Sequence, residues 1–143
     1  MQKILIVQAD FYQHITEMLY QGASKKLTTL GYQHQVITVR GALEIASVIN
    51  HIHHTKHSKD FNGYIALGCV IRGETSHYDL VCNQSASSLN HLILNYNLSI
   101  VNGIITVENE LQAIKRADPN QKNKGGYCAE AIDQLIKIKQ NYL

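Results

Sequence analysis

The sequence has no tryptophan, one proline (Pro119), three cysteines and few charges. With a single proline and no serine- or glycine-rich tract, nothing marks an interdomain linker, so residues 1–143 are expected to form one domain around one core. Cys69, Cys82 and Cys128 are odd in number and share no CxxC-type spacing, which argues against a disulfide framework and against a zinc site. Reduced thiols fit a cytoplasmic address. Charged residues make up 17%, below the roughly 25% usual for soluble chains, as expected where other copies cover part of the surface. The 13 Lys and Arg against 11 Asp and Glu leave a net charge of +2, with no long-range field to gather nucleic acid or an anionic membrane. No apolar run approaches the roughly 20 residues of a membrane span. Ile4 to Val7, cut off by Gln8 and Asp10, is too short for a signal-peptide core.

What remains is an alternation of short β-type runs with longer helical ones. Ile4 to Val7 is continuously apolar, as in a strand buried on both faces. Residues 12–30 set Ile15, Met18, Leu19, Ala23, Leu27 and Leu30 at helical spacing, and Gly31 is a suitable stop. Gln35 to Val39 reads as a second strand, and Ala42 to about His57 as a helix with Leu43, Ile45, Ala46, Ile49 and Ile52 facing inward. A third strand, Tyr64 to Gly68, leads into a loop from Cys69 to Tyr78, then a helix over 79–96. Ile100 to Val107 is the fourth strand; helical character returns over Glu108–Arg116, breaks at Asp118-Pro119-Asn120 and resumes from Gly125 to Asn141. This pattern predicts an α/β fold: a three-layer αβα sandwich on a four-stranded parallel sheet, flavodoxin-like, with its ligand site at the carboxyl ends of the strands.

Those strand ends hold the unusual residues. Gly73 permits close backbone approach, Thr75 and Ser76 offer hydroxyls, and Ser76 or Asp79 suits a helix cap. A helix start binds anions, and His77 beside it titrates near neutrality, which suits proton transfer. The same residues equally describe a capped helix with a surface histidine. Phe11 is placed to stack on a planar ring or to serve as a core or staple residue. Glu44 suits hydrogen bonds from ligand hydroxyls or support of a helix N-terminus. Arg116 suits a phosphate clamp or a solvated helix end. His51, His53, His54 and His57 invite a metal reading, but no acidic third ligand accompanies them, and a helix C-terminus favours His⁺ anyway. No metal is expected.

The run Gly68-Cys69-Val70-Ile71-Arg72-Gly73-Glu74-Thr75-Ser76-His77-Tyr78-Asp79 resembles the signature loop of the 6,7-dimethyl-8-ribityllumazine synthases. Gly41-Ala42-Leu43-Glu44-Ile45, Gly103 to Asn109 and Asn123-Lys124-Gly125 follow in that family's order, so the resemblance covers essentially the whole chain. It implies a step of riboflavin biosynthesis: condensation of 5-amino-6-(D-ribitylamino)uracil with 3,4-dihydroxy-2-butanone 4-phosphate, without cofactor.

By the same resemblance Phe11 would stack on the pyrimidine, while Ala42, Leu43 and Glu44 would line the ribityl side. Cys69, Val70 and Ile71 would contact the pyrimidine through backbone. Glu74 and Thr75 would hold the phosphate, and His77 would transfer protons. Arg116 and Asn102 would come from a neighbouring subunit, with Arg116 on the phosphate. The resemblance thus implies a homo-oligomer, a pentamer or pentamer-based assembly, with riboflavin synthase as a further partner. The chain begins almost at its first strand, without the longer N-terminal segment of many shell-forming relatives, which favours a free pentamer. It departs from the family's usual residues at Asp10, Tyr12, Arg40 and Asn102, the last standing where Phe is frequent. Asn102 and Asp10 motivate the rival reading, a catalytically silent flavin- or lumazine-binding assembly protein of the same fold.

Overall fold

Ile4, Leu5, Ile6 and Val7 form the middle of β1 (Lys3–Ala9), and all four side chains are fully buried. Burial on both faces requires strands on either side and helices above and below. The computed structural model, which describes residues 2–142, supplies both. β1 pairs in parallel with β2 (Gln33–Val39) on one side and β3 (Gly63–Ile71) on the other; β4 (Ile100–Val107) completes the order β2-β1-β3-β4.

The helices divide between the faces. Ile4, Ile6, Ile65, Leu67 and Ile105 pack under α1 (Gln13–Thr29), α4 (Glu110–Ala117) and α5 (Lys124–Asn141). Leu5, Val7, Ala66 and Ile104 pack against α2 (Ile45–His53) and α3 (His77–Tyr96). This is the expected three-layer α/β sandwich with a four-stranded parallel sheet. The chain leaves β1 for β2 in one direction and then crosses to β3 in the other. Connections therefore diverge between β1 and β3, and a crevice opens outside their carboxyl ends.

Several boundaries differ from the sequence reading. α3 begins at His77 and not at 79, α4 spans Glu110–Ala117, and three further differences have a visible cause. Pairing of Lys3 with Gln33 begins β2 two residues early, although Gln33 and His34 carry no strand signal of their own. Cys69, Val70 and Ile71 belong to β3 and not to a loop, because β4 pairs with them as far as Val107. The helix expected from Ala42 to His57 is a 3-10 turn over Ala42–Glu44 followed by α2, which stops at His53. Side chains end it: His54 Nδ1 lies 2.8 Å from the Asn50 carbonyl, and the Thr55 hydroxyl donates to the Ile52 carbonyl at 2.9 Å. Leu43, expected on the inner face, is 40% exposed because it precedes α2 and turns towards the crevice.

The histidine cluster at the end of α2 has local partners. His53 and His54 pack on the Tyr96 ring at 4.8 and 5.1 Å between centres, and His57 Nδ1 meets Asp60 at 2.7 Å. Among the described residues no group of three or more His, Cys, Asp or Glu is placed to hold a metal ion. None of the described helices is long and apolar enough to cross a membrane.

Candidate active site

A cavity of about 510 Å³ occupies the crevice at the carboxyl ends of β1 and β3. Phe11, the segment Ala42–Glu44, the segment Cys69–Ile71, Thr75 and His77 all line it. Residues far apart in sequence are thus gathered by the sheet order alone.

Each wall has a local cause. At the end of β1 the buried Thr16 hydroxyl donates to the Ala9 carbonyl at 2.6 Å, and Asp10 N–H donates to the Val39 carbonyl at 3.0 Å. These two bonds fix the short turn into α1, which displays Phe11 with 74% of its surface exposed. Phe11 is therefore neither a core residue nor a buried staple. Its ring meets Tyr12 edge-on at 5.0 Å, leaving a face open to the cavity. Gly41 admits the Glu44 carboxylate: a Cβ there would lie 3.1 Å from Glu44 Oε1. Glu44 makes no capping bond to α2, so its oxygens remain available as acceptors.

The floor is the end of β3. Cys69 is buried, and burial pushes its thiol up to about 12, so the sulfur is a neutral wall at physiological pH. Thr75 and His77 stand at the entry to α3. Ser76 occupies the cap position without making a side-chain capping bond, contrary to its expected role, and Asp79 lies inside the first turn. Instead the Thr75 hydroxyl accepts from the His77 N–H at 3.3 Å. The His77 side chain is exposed to the cavity mouth. Glu74 is exposed on the same segment but does not line the cavity, since Gly73 and Thr75 on either side of it turn inward.

Arg116 and Asn102 lie elsewhere. They line a second cavity of about 470 Å³ on the outer side of β4, together with Lys122, Lys124 and Tyr127. Arg116 is half-buried and donates from Nη1 to the Gln112 carbonyl at 3.1 Å. Asn102 Oδ1 accepts from the Ile104 N–H at 3.0 Å, leaving its amide hydrogens free of that bond. Three cations and no carboxylate line this cavity, a lining whose charge is complementary to an anion. Lys122 was missed at the sequence level; its only signal is its position two residues before Lys124. Tyr78 and Arg40, which line the first cavity, were likewise not read as site residues.

The candidate residues therefore fall into two groups within one chain, one of mixed apolar and polar side chains around Phe11, Glu44 and His77, the other cationic. Residues 1–140 match the family described as 6,7-dimethyl-8-ribityllumazine synthase. The 6,7-dimethyl-8-ribityllumazine synthase of Novosphingobium aromaticivorans is 46% identical over 142 residues, 99% of each chain. That of Zymomonas mobilis is 47% identical over 140 residues, 98% of each chain. The 6,7-dimethyl-8-ribityllumazine synthase 1 of Rhizobium meliloti is 41% identical over 139 residues, 96% of this chain and 91% of its own. A match over nearly the whole length, with the motif loop at the crevice, has one consequence: the chain belongs to the 6,7-dimethyl-8-ribityllumazine synthase family.

Proposed function

We propose that this chain, as one catalytic unit over residues 1–143, condenses 5-amino-6-(D-ribitylamino)uracil with 3,4-dihydroxy-2-butanone 4-phosphate. The uracil's 5-amino group attacks the ketone and water leaves, giving a Schiff base. A proton is removed and phosphate departs. The enol left by this elimination takes up a proton at its terminal carbon and becomes a ketone at the carbon that bore the hydroxyl. The ribitylamino nitrogen then closes on that new carbonyl with loss of a second water, giving 6,7-dimethyl-8-ribityllumazine. Each step needs two reactants held together and protons moved, which is work for orientation and one acid–base group.

The observation that carries this reading is the single cavity gathering Phe11, Glu44, Cys69, Thr75 and His77. Phe11 stacks on the pyrimidine, and Val70 and Ile71 border it with Cys69. Ala42 and Leu43 line the ribityl chain, and Glu44 accepts from its hydroxyls. Thr75 and Glu74 receive the phosphate, through the hydroxyl and main-chain N–H groups. His77 transfers the protons.

Arg116 and Asn102 reach the reaction from a second copy. Their cavity shares no lining residue with the one that His77 lines, so in this reading two copies set side by side supply one complete site. A closed ring of such contacts, five in this reading, leaves every site composite. Leu111 (79% exposed), Tyr127 and Ile138 are apolar surface that such contacts would cover. The assembly is cytoplasmic in this reading, with riboflavin synthase as its further partner.

The test follows lumazine absorbance and phosphate release together, with purified protein and both substrates. Equal amounts of product and phosphate support the reading. Binding of the ribitylaminouracil without either product would instead identify a silent binding protein.

A further inference from the structure

The segment joining β3 to α3 carries Gly73, Thr75 and His77 to the cavity at the ends of β1 and β3, and it is exposed along residues 72–77. Its helix cap is weak, because Ser76 contributes no capping bond. The stronger ties belong to Arg72. Its backbone N–H donates to the Val107 carbonyl at 2.9 Å, and its Nε donates to Glu108 Oε2 at 2.8 Å. Its guanidinium lies 4.3 Å from the centre of the Tyr78 ring, and Nη2 is 3.6 Å from Asp79 Oδ1. One side chain thus clasps both ends of the loop and fastens them to the end of β4.

The arrangement needs an arginine. The guanidinium carbon sits over the ring while Nε donates to a carboxylate, and a single ammonium nitrogen cannot occupy both places. Exposed ion pairs add little to global stability. A catalytic loop is more demanding, since a displacement of about 1 Å can cost about 10²-fold in rate.

We infer that Arg72 is a positioning residue that holds the Thr75 hydroxyl and the His77 imidazole in the geometry the reaction uses. The inference rests on the synthase reading above. Arg72 does not line the cavity; Tyr78, on which it stacks, does. Its removal loosens the loop and leaves the core untouched. The loss therefore falls on turnover and on use of the four-carbon phosphate, and not on unfolding.

The test compares Arg72→Ala, Arg72→Lys and the double variant Arg72→Ala/His77→Ala with the unaltered protein. Arg72→Ala is expected to lower kcat about 10-fold or more and raise KM for the ketone phosphate, with an unchanged urea midpoint. Arg72→Lys recovers little of this. In the His77→Ala background the same substitution lowers kcat much less, because the imidazole it positions is gone, while the rise in KM carried by Thr75 persists. A normal kcat in Arg72→Ala, or an equal fold-loss in both backgrounds, overturns the inference. Hydrogen exchange supplies a readout independent of turnover: Arg72→Ala should exchange faster over residues 72–82 and nowhere else, and equal exchange overturns the inference. No lumazine from the unaltered protein counts against the synthase reading alone, and the exchange measurement then decides the role of Arg72.

Discussion

The Tyr32 hydroxyl donates a 2.6 Å hydrogen bond to Asp133, fastening the entry of β2 to the middle of α5 across 101 residues of sequence. Lys137 reaches the other carboxylate oxygen at 3.0 Å. Burial pushes the Asp133 carboxyl up, but the Tyr32 hydroxyl and the Lys137 ammonium more than reverse that, leaving it below its ordinary value. Burial, and then the bond to Asp133, push the Tyr32 hydroxyl up.

The signs of these two shifts set a pH window. A depressed carboxyl stabilises the fold above its unfolded value of about 3.9, and this is lost as pH falls through the folded value. A raised tyrosine stabilises it below about 10, and this is lost as pH rises through the folded value. Tyr32→Phe is expected to cost about 1–2 kcal/mol at pH 7, with the difference narrowing in acid below that carboxyl value and in alkali above the tyrosine value. Urea unfolding across pH checks this, and an unchanged midpoint at pH 7 would refute it.

Gly103 lies in β4 where a Cβ would stand 2.6 Å from Cys128 Sγ and 2.8 Å from the Ala66 carbonyl oxygen. The sulfur has some room to turn, but the carbonyl belongs to the paired strand and has none. Gly103→Ala should therefore destabilise by about 1–3 kcal/mol, seen as a lower urea midpoint at unchanged slope. A midpoint within error of the unaltered protein would mean that β4 shifts freely.

The thiols give a chemical test. Burial pushes Cys69 up to about 12 and Cys128 up to about 11. Neither is a thiolate at pH 8, so iodoacetamide should label neither in the folded protein and both in urea. Cys69→Ala should keep the reaction. A loss on the scale of a removed acid–base group, about 10²–10⁴-fold, would show that the sulfur takes part.

Composite sites predict complementation. His77→Ala should lower kcat about 10²–10⁴-fold, and Arg116→Ala should raise KM for the phosphorylated ketone more than for the uracil. When the two variants are unfolded, mixed equally and refolded, about a quarter of the sites should regain both residues. Activity no greater than the sum of the separate variants would show that each chain works alone.

The strand–helix alternation was legible because its signals are local. β4 runs from Ile100 to Val107 as read, since an apolar run bounded by polar turns needs no partner to be recognised. The end of β3 and the start of β2 were not legible in the same way, because pairing with a neighbour extends a strand past its own apolar signal. The early stop of α2 came from side chains of His54 and Thr55 that compete for carbonyls, a contest that composition does not reveal.

The candidate site divides along the same line. Residue order alone was enough for the parallel sheet, for a crevice at the strand ends and for the motif loop around His77, because each rests on the succession of strands and helices along the chain. Folding settled that Phe11 is displayed and not buried, and that Glu44 is free of a capping bond. It also placed Arg116 in a separate cationic cavity and Arg72 across Tyr78 to Glu108. The first two are set by turns next to the strand ends, and the last by the pairing of β3 with β4. Which of these strand ends share one crevice is decided by the order β2-β1-β3-β4, a long-range arrangement that emerges only when the sheet forms.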